Sequence, residues 1–440
     1  MRRFFFPTLF LSMIMGYLLV FPAFSGTQEP PDILTLKQTI DSAIKANLDL
    51  KLSKEETAAA LAVKKARFTS FLPTFSTKYQ YNKLDEGTSI GGFATSADKE
   101  YSFVTSVTQP LFAGFSILRQ YDIAKLGLNA AEIKEKLMRQ DIILEAKTIY
   151  FTLLKAQKLR KIAEETVVQI DAQRNVAENF YQVGMSPLND LLQAQVELAN
   201  SKQELIVAKN TMENTESDFN TLLRRPVNTP VAIEDMLDYS SFEKDFDYCL
   251  AQADKHRLEI KIADLDVEIA DKELQLAKKD YYPTINLEGN YFREGTDWDV
   301  DGGEGIFDPS GWNILAVARW NFFEWGRTYY GTNEKRSRLS QSQFRKDQLL
   351  DNIQQEVKKA YLRTQEAERA IITVEKAIEQ AKENFRINQE RYKQQVATST
   401  DVLDAQTLLS RTMTNYYNAL YAFKIAKATL YRVMGQGIIE

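Results

Sequence analysis

The chain has 440 residues, with 60 acidic and 55 basic side chains, a formal net charge of -5 and a hydrophobic fraction of 44%. That near balance excludes the basic excess of a nucleic-acid-binding surface and fits a folded protein. A single cysteine, Cys249, and a single histidine, His256, exclude an internal disulfide, a thiolate or multi-histidine metal site and a histidine-based triad.

At the N-terminus, Arg2 and Arg3 precede an apolar run over residues 4–20, and Ala23-Phe24-Ser25 supplies small residues for cleavage. This pattern predicts a signal peptide over residues 1–25. The competing reading is an uncleaved anchor, because the run approaches the roughly 20 apolar residues of a helical span. No cysteine lies near the junction to carry a lipid, and no later segment is apolar enough for a membrane helix.

The rest of the chain is one unit written twice. Residues 109–225 align with 320–436 at a constant offset of 211. Tyr150 falls on Tyr361, Tyr181 on Tyr392, and Asp190-Leu-Leu-Gln-Ala-Gln195 on Asp401-Val-Leu-Asp-Ala-Gln406. Upstream, Phe71-Leu-Pro-Thr74 matches Tyr281-Tyr-Pro-Thr284 at an offset of 210. A shared offset over so long a stretch points to duplication of a structural half rather than a solenoid. The predicted organisation is a first repeat over 26–225, a linker over 226–248 that contains Pro226 and Pro230, and a second repeat over 249–440.

Each repeat has the same predicted order. A helix over about 37–68, and again over about 248–280, is ended by Pro73 or Pro283. Two strands follow, about 74–83 and 101–112 in the first repeat and about 284–292 and 312–323 in the second. Then come a very long helix, about 116–180 and about 327–392, a short turn and a second long helix. Ile142, Ala146, Ile149, Leu153 and Ala156 step by 4, 3, 4, 3, and Ile371, Val374, Ile378, Ala381 and Phe385 by 3, 4, 3, 4. These steps lay one apolar seam along each helix, as in a coiled coil.

The strands alternate. Phe75, Thr77, Tyr79 and Tyr81 point one way, and Ser76, Lys78, Gln80 and Asn82 the other. Ile285, Leu287 and Tyr291, and then Trp312, Ile314, Ala316, Ala318 and Trp320, continue the apolar set. A half-buried sheet and a membrane barrel wall both give this pattern. Four strands cannot close a barrel alone, and lipid tolerates no open sheet edge, so the barrel reading requires several chains.

The duplicated half, the Leu-Pro and Tyr-Pro steps before the strands, Gln109-Pro-Leu-Phe-Ala-Gly114, and the tip signatures from Tyr181 to Gln195 and from Tyr392 to Gln406 together resemble the TolC family of outer-membrane channels. The resemblance covers the whole mature chain. It implies an α+β membrane protein with no catalytic step and no cofactor. A long antiparallel α-helical coiled-coil barrel continues into a β-barrel, with four strands per protomer, two structural repeats and twelve strands in a homotrimer. The barrel sits in outer-membrane lipid and the helices form a periplasmic duct, with residues 226–248 at its equator. The duct serves a tripartite efflux or type I secretion system, together with a periplasmic adaptor protein and an inner-membrane RND or ABC transporter. The alternative is a periplasmic coiled-coil adaptor or interaction protein.

The resemblance also singles out residues. Asp401 and Asp404, three apart on one helix face, would point into the lumen near the closed end, where three copies give a ring of carboxylates that attracts cations. The plainer reading of Asp401 is a first-turn residue favoured by the helix dipole, with Thr398 as cap. Tyr392 matches a residue of the closed-state latch, whereas Ala397 holds the family's arginine position and Gln395 its tip glycine. Tyr181, Gly184, Ser186, Asp190 and Gln395 are the expected adaptor contacts. Finally, Asp297, Asp299, Asp301 and Asp308 have the spacing of a calcium loop, but they are flanked by strands, and a solvated acidic loop is the plainer account. His256 aligns with Ala46 and reads as structural.

Overall fold

The computed structural model describes residues 33–91, 93–303, 306 and 308–437. The expected signal peptide, residues 1–25, lies outside the described residues. The first half runs β1 (Ile33–Leu34), α1 (Leu36–Ala46), α2 (Leu48–Thr69), β2 (Thr74–Lys83), β3 (Thr88–Ile90), β4 (Phe93–Ser96), β5 (Lys99–Ala113), α3 (Ser116–Gln182) and α4 (Leu188–Leu222). After β6 (Ala232–Ile233) the second half runs α5 (Phe246–His256), α6 (Leu258–Ala277), a 3-10 turn at Lys278–Tyr281, β7 (Thr284–Gly295), β8 (Ser310–Arg319), α7 (Arg327–Lys393) and α8 (Ser399–Val433). Helices α3 and α7 have 67 residues each, or about 100 Å at ~1.5 Å per residue. Among the described residues no helix is long and apolar enough to cross a membrane.

The helix expected over 37–68 is two helices, broken at Asn47, and the one expected over 248–280 is broken at Arg257. Asn47 has an extended ψ of 132°, and its side-chain oxygen accepts from the Leu50 N–H at 2.9 Å, so it caps α2. At Arg257 the break is held by tertiary partners instead. Its buried guanidinium donates to Glu259, to Glu356 at 2.7 Å and to the Val433 carbonyl at 3.3 Å. The duplicated cores follow the repeat. Ile142, Phe219 and Leu222 pack under α1, and their counterparts Ile353, Leu430 and Val433 pack under α5.

The four long strands form one antiparallel sheet in the order β2-β5-β7-β8. Strand β8 stops at Arg319, short of the expected 323, because its last partner is Thr284, the first residue of β7. Pro283 precedes it and has no N–H to extend the ladder. Each sheet-to-helix junction needs two consecutive left-handed residues. These are Gly114 and Phe115 in the first half, and Trp325 and Gly326 in the second. A Cβ at Gly114 would stand 2.4 Å from the Lys279 carbonyl oxygen, so that position admits only glycine.

In the helical layer α3 packs against α4 and α8, and α7 packs against α8. The linker is tied to the middle of this layer. Strands β1 and β6 pair in parallel, and the buried Tyr150 hydroxyl donates toward the Glu234 carbonyl at 2.8 Å and the Leu34 carbonyl at 3.2 Å. Burial, with Glu234 nearby, pushes that phenol up to about 12.

Candidate functional site

Two regions carry function-bearing side chains: the outer face of the sheet and the turn between the paired long helices. The ladder register sorts the strands into two faces. Phe75, Tyr79 and Tyr81 of β2 lie beside Val107, Phe103 and Tyr101 of β5, which lie beside Gly289, Arg293 and Gly295 of β7. Leu287 and Tyr291 of β7 face Ala316 and Trp312 of β8, with Ile314 beside Gly289. The opposite face is mostly polar, with Ser76, Lys78, Gln80, Asn82, Glu100, Asn286, Glu288, Asn290, Asn313 and Arg319, and carries Val104, Phe292, Leu315 and Val317 among them. The first face is apolar yet uncovered by the rest of the chain: Phe75 is 72% exposed, Trp312 74% and Ile314 66%. Leaving such a face in water would forfeit about 25 cal/mol per Å². Aromatic rings gather at both ends of the strands. Tyr81 and Tyr101 meet at 4.8 Å at one end, and Phe112, Phe115 and Tyr282 interlock at the other with Trp320, Phe322, Phe323 and Trp325 exposed nearby. Strands of 10 to 15 residues, apolar on one side and girdled by aromatics, have the dimensions of a bilayer-spanning wall.

At the other end of the molecule the two helix pairs turn in the same way. After α3, the Met185 N–H donates to the Phe180 carbonyl at 2.7 Å and the Gly184 N–H to the Tyr181 carbonyl at 3.0 Å. After α7, the Val396 N–H donates to the Arg391 carbonyl and the Gln395 N–H to the Tyr392 carbonyl, each at 2.9 Å. Both are Schellman closures, with Gly184 and Gln395 in the left-handed position. Tyr181 and Gly184 are exposed beyond the closure and Ser186 is half-buried.

Asp401 serves the turn. Its carboxylate accepts from the Thr398 N–H and hydroxyl, both at 2.8 Å, and its own N–H donates to the Thr398 hydroxyl at 3.2 Å. These backbone and side-chain bonds, with Arg391 nearby, hold its carboxyl below the ordinary aspartate range. Asp404, one turn on, is exposed on the same helix and makes no such bond. Tyr392 is 3% exposed and packs on Phe180 at 5.4 Å. Burial pushes its phenol up, the adjacent Ser399 hydroxyl acts in the opposite sense, and the Asp190 carboxylate adds to the rise. Phe180 and Tyr392 thus meet across the two helix pairs. Sequence reading did not reveal the bond beside them. The Thr400 hydroxyl donates to the Gln193 side-chain oxygen at 2.7 Å, joining the tip of α8 to α4. Gln193 is the counterpart of Asp404, so this bond explains the amide there: it is half-buried between the pairs, while Asp404 is exposed.

Among the described residues no three His, Cys, Asp or Glu side chains stand where they could share a metal. Asp301 is turned to Arg293, which donates to it at 2.7 Å, so the calcium spacing of Asp297, Asp299, Asp301 and Asp308 is not matched by calcium geometry.

An apolar strand wall continued by paired helices about 100 Å long defines a membrane channel protomer rather than an enzyme or a soluble rod. Residues 39–223 and 249–436 match the model of the outer membrane efflux protein family, and the chain belongs to that family. It is therefore an outer-membrane efflux channel protein with no catalytic step, and its helices lie in the periplasm. The reading as a periplasmic adaptor is thereby set aside. Its fold is similar to that of the Campylobacter jejuni CmeC outer membrane channel, at TM-score 0.80 and 20% identity, covering 92% of this chain and 86% of that one. It is similar to Vibrio cholerae VceC at 0.79 and 16%, covering 91% and 96%, and to the open state of the Neisseria gonorrhoeae MtrE outer membrane channel at 0.76 and 18%, covering 91% and 89%. Comparison with curated protein sequences finds no significant match.

Proposed function

We propose that three copies of this chain close into one duct, twelve strands forming the outer-membrane barrel and twelve helical segments its periplasmic wall. The duct is the exit of a tripartite efflux or type I secretion system. One observation carries this reading: the protomer is open on both sides. The sheet order leaves β2 and β8 as unpaired edges, which lipid does not tolerate. The helical layer is likewise open, at α4 and α7 in the half that ends in the turns and at α2 and α7 in the half next to the sheet. Exposed Leu192, Val196 and Ile206 of α4, and Ile372 and Ile387 of α7, are available to pack on a neighbour. Unlike edges joined head to tail generate a ring.

In that ring the apolar strand face meets lipid and the polar face lines the lumen. Asp404 of each copy supplies a luminal carboxylate near the tip, with Asp401 principally a cap. The tips, with Tyr181, Gly184, Ser186, Asp190 and Gln395, are the surface offered to a periplasmic adaptor and its RND or ABC pump. Native mass spectrometry of the detergent-extracted protein tests the assembly. Three copies per particle is the expected result, and a folded monomer would overturn it.

A further inference from the structure

A recess of about 230 Å³ lies at the level of the linker, between residues 236–240 and the helices α3 and α8. Its walls include the buried rings of Phe151 and Phe423, and among the described residues that line it Lys424 and Lys427 are basic beside the acidic Asp238, with Lys147, which is engaged elsewhere, at the margin. Lys424 donates to the Asp238 main-chain carbonyl at 2.5 Å, and Lys427 to the Ser240 carbonyl at 2.8 Å and hydroxyl at 2.7 Å. The stems lie along the rings, with the Lys424 ammonium 5.6 Å from Phe151 and that of Lys427 5.8 Å from Phe423. Among the described residues, neither ammonium reaches a carboxylate within ion-pair distance. Each ammonium has three donors, so donors remain after these bonds. Burial lowers both lysines, and each weighs against other charges: Asp238 and Asp235 raise Lys424, Lys427 lowers it further, and Glu368 raises Lys427.

The duplication gives these positions a counterpart in sequence. At the offset of 211, Lys424 and Lys427 of α8 correspond to Glu213 and Glu216 of α4, while Lys147 of α3 corresponds to Lys358 of α7. At these two positions α4 carries carboxylates and α8 carries lysines, and it is α8 that packs against α3. Two ammonium groups three residues apart on one helix repel, and half-burying them with no carboxylate in ion-pair contact costs stability. A cationic, aromatic-walled recess is built for an anion with an apolar body. Its volume lies below the ~300 Å³ of ordinary small-molecule sites, which restricts it to a small one.

We propose that this recess binds a small organic carboxylate, its head held by Lys424 and Lys427 and its body lying on Phe151 and Phe423. The proposal does not rest on the channel reading. The test is isothermal titration calorimetry on the detergent-solubilised full chain with benzoate, inorganic phosphate and neutral benzyl alcohol. Benzoate is expected to bind at least tenfold more tightly than either of the other two. In Lys424→Gln/Lys427→Gln its affinity falls at least tenfold, and a Phe423→Leu variant loses benzoate affinity but not what little phosphate affinity exists. Melting temperature and particle mass establish that each variant is folded, and Lys427→Gln alone is the milder variant if the double one unfolds. No benzoate binding by the wild-type protein, or benzoate binding unchanged in a folded lysine variant, overturns the proposal. Phosphate binding as tight as benzoate would overturn the assignment to an organic carboxylate.

Discussion

Gly184 and Gln395 occupy the same left-handed position in two copies of one turn, with φ of 72° and 62°. A Cβ at Gly184 would meet nothing within 4 Å, so the glycine is there for its backbone and not for space. Gln395 makes the same turn with a side chain that this conformation penalises by roughly 1–2 kcal/mol. Gln395→Gly is therefore expected to stabilise the α7–α8 turn by about 1 kcal/mol, less the entropy that glycine adds to the unfolded chain. Hydrogen exchange of the amides over 394–400 measures it, and slower exchange is the expected result.

The Asp401 cap gives the same turn a pH dependence. A carboxyl held below its ordinary value stabilises the fold above about pH 4, the unfolded range, and loses that contribution as pH falls through the lower folded value. The turn over 394–400 should loosen on acidification below about pH 4, after correction for intrinsic exchange rates, and Asp401→Ala should remove this dependence.

Tyr150 ties the linker to the helical layer, and its phenol is raised to about 12. A raised value means the neutral form is favoured in the fold. The contribution is thus complete below about pH 10 and lost as pH rises toward the folded value. Tyr150→Phe leaves the Glu234 carbonyl without its 2.8 Å donor and is expected to cost about 1–2 kcal/mol. Chemical denaturation compared with wild type at neutral pH checks the cost, which should disappear in alkali.

Gly114→Ala is expected to be the most damaging single methyl addition in the sheet-to-helix junction. The new Cβ would lie 2.4 Å from a main-chain oxygen at a φ of 58°, and the cost is roughly 2 kcal/mol or more. Loss of the folded, detergent-resistant form on a semi-native gel reads it. Gly184→Ala, with open space around it, should be far milder.

Much of this architecture is legible in the sequence because it is local and duplicated. Pro73 and Pro283 mark where β2 and β7 begin, and the 3-4 spacing of apolar residues marks the long helices. The breaks at Asn47 and Arg257 are less visible, since both interrupt runs of good helix formers. Asn47 carries a local capping signal, but Arg257 is held by Glu356 and Val433, far away in sequence. The Gln193–Thr400 bond and the lysine recess depend on packing between helices from different repeats, which no local pattern encodes. In the acidic loop the spacing of the aspartates is legible, but the pairing of Asp301 with Arg293 is not, since it depends on how the loop folds back on β7.

The proposed channel carries luminal carboxylates at its tip. Single-channel recording of the purified protein in a planar bilayer, with wild type beside Asp404→Asn and Asp401→Asn, reads them directly. The expected result is a cation-preferring pore whose preference falls in Asp404→Asn and changes less in Asp401→Asn, where the carboxylate is committed to Thr398. Folded trimers that never conduct would contradict the channel, and unchanged selectivity in Asp404→Asn would contradict the luminal ring.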